Sequence, residues 1–325
     1  MPARALVLFS GGLDSMLAVR VLQLQGIEVE AINFRTTFAC CQDQAGRAAR
    51  QLEVPLTVLA AGDDYLDVIR QPRFGYGRGA NPCVDCRIYM FRQAAELLEA
   101  RRADFVASGE VLGQRPMSQK RKDLANIAHW SGLDDRLLRP LSARLLPETW
   151  PERSGRVDRR RLHRFAGQSR KGLIAFARRL GFEQIPTPST GCALTEPGFA
   201  HKVHDLVAID PAARRWDFEL LKTGRHLRVD RTTKVVLGRN ERENQHLALM
   251  YDDLNASAWA LLEPRAFPGP TALVVGPPLE TALDAALALI SQYTKRAPQP
   301  TCSIDATLRT ATGRQRRVLS LTVGA

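Results

Sequence analysis

The chain has 325 residues, 45% hydrophobic and 25% charged, a balance typical of a soluble globular protein and long enough for two ordinary domains. No stretch approaches the roughly 18 consecutive apolar residues of a membrane span, and no secretion signal precedes the first predicted strand, so we expect a cytoplasmic protein without membrane contacts. The formal net charge is +12, an excess that favours a polyanionic partner.

In the first half of the chain, short apolar runs alternate with helical patterns. Such alternation predicts an α/β fold with a doubly wound parallel sheet, which binds ligands at the carboxyl ends of its strands. Strands are predicted at 4–9, 27–34, 56–60 and 105–108, and helices at about 16–24, 43–52, 88–98 and 170–180.

From about residue 214 the pattern changes to that of a second, smaller α+β domain, predicted to span 214–325. The first domain is predicted to span 1–200 and to include a basic segment at 136–180. In the second domain, strands are predicted near 229 and at 235–237, 271–275, 302–304 and 318–323, with a helix at 279–293.

The loop after the first strand reads Ser-Gly-Gly-Leu-Asp-Ser at 10–15. Adjacent glycines let backbone N–H groups approach phosphate oxygens, and the following helix presents its positive N-terminus to the same anion. Asp14 would hold Mg²⁺ or the loop itself. The loop lacks the lysine and the spacing of a Walker A motif, which argues against kinase or GTPase chemistry.

This loop resembles the signature of the PP-loop family, whose members cleave ATP between the α and β phosphates and adenylate an oxygen of the substrate. Residues 108–114 with 118–119 are similar to the Gly-Glu-x-Leu-Gly-Gln…Ser-Gln stretch of tRNA 4-thiouridine synthases, and 138–141 resembles the Arg-Pro-Leu that follows it. The resemblance implies that the nucleotide is bound by Ser10, Gly11, Gly12, Asp14, Ser15, Gly109, Glu110 and Gln114.

Three of the six cysteines are candidates for chemistry. Cys83 and Cys86 are two residues apart at the start of a predicted helix, whose N-terminus would favour their thiolates, and Cys192 lies in a small-residue loop. Three thiolates could hold a four-iron cluster with one iron open, a zinc ion, or a persulfide with a resolving partner. Cys40 and Cys41 could face the same site, although thiols without a role are the simpler interpretation. Cys302 is predicted to lie in the hydrophobic core of the second domain.

The cysteine arrangement resembles that of cluster-dependent tRNA thiolation enzymes, in which a Cys-x-x-Cys pair and a distant third cysteine hold a [4Fe-4S] cluster beside the ATP site. The resemblance implies that Cys83, Cys86 and Cys192 are cluster ligands and, with Asp14, the catalytic residues. The chain departs from the 4-thiouridine synthases because its PP-loop stands at the start, without their preceding RNA-binding region, and the target base is left open.

The basic segment carries thirteen Arg or Lys residues against three acidic ones. Such an excess favours binding to an RNA backbone, but it is equally typical of a basic surface that contacts only solvent. Residues 234–244 resemble the Val-Gly-Arg-Asn-x-x-x-Asn core of the NFACT RNA-binding domain, although a plain polar hairpin would look alike. The predicted RNA-binding residues are Arg159, Arg160, Arg161, Arg170, Lys171, Arg239, Asn240 and Asn244.

Together these features lead to the hypothesis of an ATP-dependent tRNA sulfurtransferase that uses ATP, Mg²⁺ and a [4Fe-4S] cluster. Its partners would be tRNA and a sulfur donor, either free sulfide or a cysteine desulfurase. Sulfuration or amidation of a small molecule by the PP-loop and RNA binding without catalysis are the alternatives. The sequence leaves the oligomeric state open, a homo-oligomer included.

Overall fold

The computed structural model describes residues 2–38, 44–187, 191–294 and 300–322. These residues form two compact units, one ending at Pro197 and the other beginning at Gly198. In the described ranges, no helix combines the length and the apolar character that a bilayer crossing requires.

The described part of the first unit contains a five-stranded parallel sheet with the strand order β3-β2-β1-β4-β5. The strands are β1 (Arg4–Leu8), β2 (Glu28–Arg35), β3 (Leu56–Ala60), β4 (Phe105–Ser108) and β5 (Leu137–Leu138). The helices are α1 (Leu13–Gln23), α2 (Gln44–Gln51), α3 (Tyr65–Arg70), α4 (Cys83–Ala100), α5 (Arg121–Trp130), α6 (Trp150–Arg153) and α7 (Lys171–Arg179).

The central strand β1 is apolar on both faces because helices cover both sides of the sheet. Ala5 and Val7 face one core, which they share with α1 and α7, whereas Leu6 and Leu8 face a second core, which they share with α4 and α5. The predicted doubly wound parallel sheet is therefore confirmed. Its carboxyl edge carries the loops that follow β1 and β4.

In the described part of the second unit, six strands form an antiparallel sheet with the order β11-β10-β8-β9-β7-β6. The strands are β6 (Arg225–Arg228), β7 (Lys234–Leu237), β8 (Ala258–Arg265), β9 (Ala272–Val275), β10 (Thr301–Thr310) and β11 (Gly313–Thr322). The helices are α8 (Pro197–Ile209), α9 (Arg215–Leu220), α10 (Glu241–Asp252) and α11 (Glu280–Tyr293). The predicted α+β class of this part is confirmed.

Several elements differ from the sequence predictions. The helices α3, α5, α6, α8, α9 and α10 and the strands β5 and β8 were not predicted. The strand predicted near Val229 ends one residue earlier, because the Val229 N–H donates to the Thr233 carbonyl at 3.0 Å and closes the turn between β6 and β7. The strand predicted at 318–323 begins at Gly313, and its last predicted residue lies outside the described ranges.

Candidate nucleotide and thiol site

The glycine loop at 10–15 connects β1 to α1 in a conformation that requires glycine. Gly11 has a φ of +74°, and a Cβ on it would lie 2.8 Å from the backbone N and Cα of Ala45. The Ser15 hydroxyl donates to the Gly12 carbonyl at 2.8 Å, and the Gly12 N–H donates to the Ser10 hydroxyl at 3.3 Å. These contacts fix the loop before any anion binds, which is the form of a phosphate cradle at a helix N-terminus.

The loop after β4 lies directly against the first turn of α1. A Cβ on Gly109 would lie 2.4 Å from the backbone carbonyl atoms of Asp14 and 2.5 Å from the Ser15 nitrogen. Only glycine allows two backbones to approach this closely. The close approach brings residues 109–115 to the same edge of the sheet as the glycine loop.

Asp14 is half-buried, and one of its carboxylate oxygens has no hydrogen-bond partner in the described part of the chain. Its Oδ1 and the Oε1 of Gln114 are both buried without a hydrogen-bond partner among the described residues. Burial raises the pKa of Asp14. The positive charges of Arg170 and Arg115 lower it, as does a hydrogen bond from the Gln114 side chain. Two unpartnered oxygens, one of them on a carboxylate, fit the oxygen ligands that Mg²⁺ prefers.

Glu110 is 2% exposed and belongs to a buried ion pair. Arg139 Nε donates to Glu110 Oε2 at 2.9 Å, and Arg139 Nη2 donates to the Leu124 carbonyl at 3.0 Å. Arg87 Nε lies 3.9 Å from the other carboxylate oxygen. The pair therefore anchors the loop after β4 to the segment after β5, so Arg139 belongs to the interior although it is part of the basic segment.

Cys83 and Cys86 occupy the first turn of α4, and the loop of Cys192 lies against the same region. The Ala80 N–H donates to the Leu194 carbonyl at 3.0 Å, and the Ala193 N–H donates to the Phe38 carbonyl at 3.3 Å. The three thiols interact electrostatically with one another. The fold thus brings together the three cysteines that the sequence analysis selected.

Burial opposes the thiolate form at two of the three cysteines, Cys86 and Cys192. Burial raises the pKa of Cys86 to about 11, although a hydrogen bond from Tyr65 at 3.2 Å opposes the rise. Burial also raises the pKa of Cys192. The expectation was wrong for Cys86 because desolvation outweighs the helix N-terminus there.

The donor set of the three cysteines fits a cluster ligated by sulfur. Within the described ranges, however, no three His, Cys, Asp or Glu side chains are placed to hold a single metal ion. Cys40 and Cys41 lie outside the described residues. Cys302 is buried in the core of the second unit, as predicted.

Arg115 is the residue of this site that the sequence analysis missed. Partial desolvation lowers the pKa of its guanidinium, as do Arg87 and Arg170, whereas Asp14 and Cys83 raise it. The Arg115 side chain is exposed, and its guanidinium lies within electrostatic range of both Asp14 and Cys83. It lies between the matched parts of the Gly-Glu-x-Leu-Gly-Gln…Ser-Gln stretch, where no sequence signal marked it.

The basic segment contains both buried or half-buried cations and exposed cations. Arg159, predicted to bind RNA, pairs with Glu148 at 3.4 Å and with Glu152. Arg170 is half-buried and lies within electrostatic range of Asp14, and its RNA contact stays a prediction. The exposed cations are Arg136, Arg144, Arg153, Arg156, Arg160, Arg161, Arg164, Lys171, Arg178 and Arg179, of which Arg153 pairs with Asp135 and Arg156 with Asp104.

In the second unit, the predicted RNA-binding motif begins a helix. The Asn240 side chain caps α10 by accepting the Glu243 N–H at 3.0 Å, and exposed Arg239 pairs with Glu243 at 2.5 Å. Asn244 was predicted to contact RNA. Its side-chain amide donates to the Gly269 carbonyl at 3.1 Å and accepts the Thr271 N–H at 3.0 Å, and its RNA contact stays a prediction.

Comparison with known proteins separates the same two parts. Residues 3–129 match the model of the tRNA methyl transferase HUP domain, and residues 224–322 match that of the NFACT protein RNA binding domain. The tRNA-specific 2-thiouridylase MnmA of Desulfosudis oleivorans is 30% identical over 39% of this chain and 36% of its own length. The MnmA of Methylobacterium nodulans is 33% identical over 35% of this chain and 34% of its own length.

The chain thus spans about a third of the length of the curated relatives it matches. Among solved structures, a 4-thiouridine synthetase in complex with RNA and ATP is 18% identical with a TM-score of 0.38, covering 66% of this chain and 53% of its own. A predicted subunit of a tRNA methyltransferase from Methanocaldococcus jannaschii is 18% identical with a TM-score of 0.31, covering 42% of this chain and 69% of its own. The chain joins a HUP domain of the PP-loop type, which implies ATP binding, to an NFACT-type RNA-binding domain.

Proposed function

We propose that this protein is an ATP-dependent tRNA sulfurtransferase. The observation that carries the proposal is that Arg115 lies within electrostatic range of Asp14 in the glycine loop and of Cys83, while Cys83, Cys86 and Cys192 lie within electrostatic range of one another. A nucleotide loop alone would serve amidation, ligation or thiolation. Thiols beside it favour sulfur transfer, and the RNA-binding domain favours RNA as the recipient.

In the first step, a uridine carbonyl oxygen attacks the α-phosphate of ATP and pyrophosphate leaves. The glycine-loop amides and the N-terminus of α1 hold the phosphates, and Ser10 and Ser15 present hydroxyl groups to them. Asp14 and Gln114 would hold Mg²⁺, which would neutralise phosphate charge. The base must leave its stack to reach this edge of the sheet.

In the second step, sulfide attacks the activated carbon, AMP departs with the former carbonyl oxygen, and the sulfur loses its proton to solvent. Cys83, Cys86 and Cys192 would hold a [4Fe-4S] cluster, which when bound would present sulfide on an open iron. A persulfide on one of these cysteines, delivered by a cysteine desulfurase, is the other route, and it requires a thiol to reduce the disulfide that remains.

The exposed cations of the basic segment and Arg239 would bind the tRNA backbone. Arg160 has a side chain that is 96% exposed, whereas Arg153 is held by Asp135 at 2.5 Å. If Arg160 contacts a phosphate, Arg160→Gln lowers the slope of log K against log salt by roughly one, and Arg153→Gln lowers it less. Equal slopes for Arg160→Gln and wild type would remove this residue from the RNA interface.

The decisive test is anaerobic purification with iron and sulfide analysis, combined with nucleoside analysis of tRNA from a deletion strain. We expect loss of one thionucleoside in the deletion strain, which wild type restores and Asp14→Ala or Cys192→Ala does not. Cys302→Ala is the matched control, because it removes a thiol far from the nucleotide loop in sequence, and it should restore the thionucleoside. Unchanged thionucleosides in the deletion strain would refute tRNA thiolation, and iron-free active protein would refute the cluster.

A further inference from the structure

Three aromatic side chains lie together in the basic segment. His163 stacks on Phe165, with ring centroids 5.4 Å apart and an interplanar angle of 30°. The ring of Phe176 in α7 packs against both, with its centroid 4.3 Å from that of His163 and 5.7 Å from that of Phe165. Phe176 is buried, whereas His163 and Phe165 are only half-buried. Part of this aromatic group is therefore accessible from solvent.

The backbone that carries His163 and Phe165 is firmly held. The His163 N–H donates to the Pro140 carbonyl at 2.9 Å, and the Phe165 N–H donates to the Leu141 carbonyl at 2.8 Å. The buried Ser142 hydroxyl donates to the Phe165 carbonyl at 2.6 Å. Both rings are thus presented from a fixed backbone, which reduces the ordering entropy that a ligand must overcome when it binds against them.

The same segment continues to the loop after β4. The Gly167 N–H donates to the Leu112 carbonyl at 2.8 Å, and the Leu112 N–H donates to the Ser142 hydroxyl at 3.0 Å. That loop also lies against the first turn of α1, through the close approach of Gly109 to the Asp14 backbone. The aromatic group is therefore connected, through the loop after β4, to the edge of the sheet that carries the glycine loop.

Two exposed arginines flank the aromatic group. The Arg144 N–H donates to the His163 carbonyl at 3.1 Å, and the Arg179 guanidinium lies 5.8 Å from the centre of the Phe176 ring. Across the described ranges, neither guanidinium forms an ion pair, unlike that of Arg159. Burial lowers the pKa of His163, and the positive charges of Arg144 and Arg179 lower it further, so its ring is uncharged at neutral pH.

Single-stranded RNA offers both of the groups that such a surface can bind. Its unpaired bases stack on aromatic side chains, and its phosphates attract arginine. A duplex offers its phosphates and riboses but not a base face, because its bases are stacked on one another. A small anion would engage the arginines and leave the rings unused. The combination of accessible rings and unpaired arginines therefore favours an unpaired nucleotide.

We propose that His163 and Phe165 form a stacking platform for an unpaired base of the RNA, and that Arg144 and Arg179 bind the adjoining phosphates. The inference rests on the proposed function for its RNA partner. It adds that the basic segment recognises an unpaired nucleotide, which the backbone charge of RNA alone would not specify. The platform therefore selects RNA whose target region is open over RNA that is fully paired.

The test measures binding of the full-length protein to a short single-stranded oligouridylate and to an RNA duplex of the same length, by fluorescence anisotropy. Phe165→Leu keeps an apolar side chain on the core and removes the ring. Affinity for the oligouridylate should fall roughly 5- to 150-fold, the range expected for one base stacked on an aromatic ring, and affinity for the duplex should not change. Phe165→Tyr keeps the ring and should retain the wild-type affinity.

Two variants serve as controls. Phe182→Leu removes a buried ring from the same hydrophobic core and should lower the urea midpoint without changing affinity for either RNA. Arg179→Gln should lower the slope of log K against log salt by roughly one, because it removes a phosphate contact. Phe165→Leu should leave that slope unchanged, since stacking releases no counterions.

Wild-type affinity of Phe165→Leu for the oligouridylate would overturn the inference, as would an equal loss for the oligouridylate and the duplex. Weaker ATP binding with unchanged RNA binding would assign the rings to adenine and overturn it as well. If Phe165→Leu weakens oligouridylate binding but the deletion strain keeps its thionucleosides, the platform stands and the thiolation proposal fails. If the thionucleoside is lost on deletion and Phe165→Leu binds RNA as wild type does, only the platform fails.

Discussion

The close approach of Gly109 to α1 makes a single added methyl group a test of the whole site. In Gly109→Ala the new Cβ would lie 2.4 Å from the Asp14 carbonyl, whereas ordinary van der Waals contacts begin at 3.4 Å. Both partners are backbone, so neither can rotate away, and the two segments must separate by about 1 Å. That displacement moves Asp14 relative to Gln114 and Arg115.

Two effects of known size follow from this displacement. Overpacking of this kind costs about 1–3 kcal/mol of folding free energy. A misplacement of about 1 Å in a catalytic constellation lowers the rate on the order of 100-fold. We therefore expect Gly109→Ala to lower the urea midpoint, followed by circular dichroism, and to reduce AMP formation far more than a loss of stability alone would.

The matched control is Gly46→Ala within helix α2. Its new Cβ would lie 3.7 Å from an Arg50 guanidinium nitrogen, an ordinary contact, and alanine in a helix interior is favoured over glycine by about 0.5–1 kcal/mol. The control should raise the urea midpoint and leave AMP formation unchanged. Wild-type stability and activity in Gly109→Ala would refute the close approach on which the shared site depends.

Three further predictions concern the interior. Arg139→Met leaves the buried Glu110 carboxylate without its partner. The free energy of unfolding, measured in urea, should fall by about 3–5 kcal/mol, and a fall below about 1 kcal/mol would contradict a buried ion pair. Burial is the main cause that lowers the pKa of His226 from 6.5 to about 3, so the folded state holds this imidazole neutral. The unfolded chain gains the proton as pH falls below 6.5, so the free energy of unfolding falls from there towards pH 3. His226→Asn should reduce the slope of unfolding free energy against pH by up to about 1.4 kcal/mol per pH unit. Equal slopes for the variant and the wild type would refute the lowered pKa. Asn244→Ala should lower the free energy of unfolding by about 1–3 kcal/mol without weakening RNA binding in a filter assay. Weaker RNA binding at unchanged stability would support the predicted RNA contact of Asn244.

Local patterns in the sequence were sufficient for the first sheet and for the nucleotide loop. The strands β1 and β4 are short apolar runs because both faces of the sheet are covered there, so each is recognisable without its neighbours, whereas β3 is a partly exposed edge strand that its apolar residues still mark. The glycine loop is equally local, since the two glycines, the serines and Asp14 act within six residues. The sequence also selected the three cysteines that the fold brings together.

Tertiary structure alone decided which charged and polar side chains remain available to a ligand. Arg139, Arg159 and Arg160 carry the same charge, but only Arg160 is fully exposed. Arg139 pairs with buried Glu110 and Arg159 pairs with buried Glu152. The two-residue strand β5 was likewise invisible, since a partner strand defines it more than its own residues do.

The close approach of Gly109 to Asp14 shows the same limit most clearly. A Cβ on Gly109 would lie 2.4 Å from the backbone carbonyl of Asp14, which stands far earlier in the chain, and no spacing in the sequence encodes that meeting. The sequence determined that a PP-loop nucleotide site and a set of candidate thiols exist. The fold decided which loops meet the glycine loop, because the carboxyl edge of a parallel sheet gathers loops that are far apart along the chain.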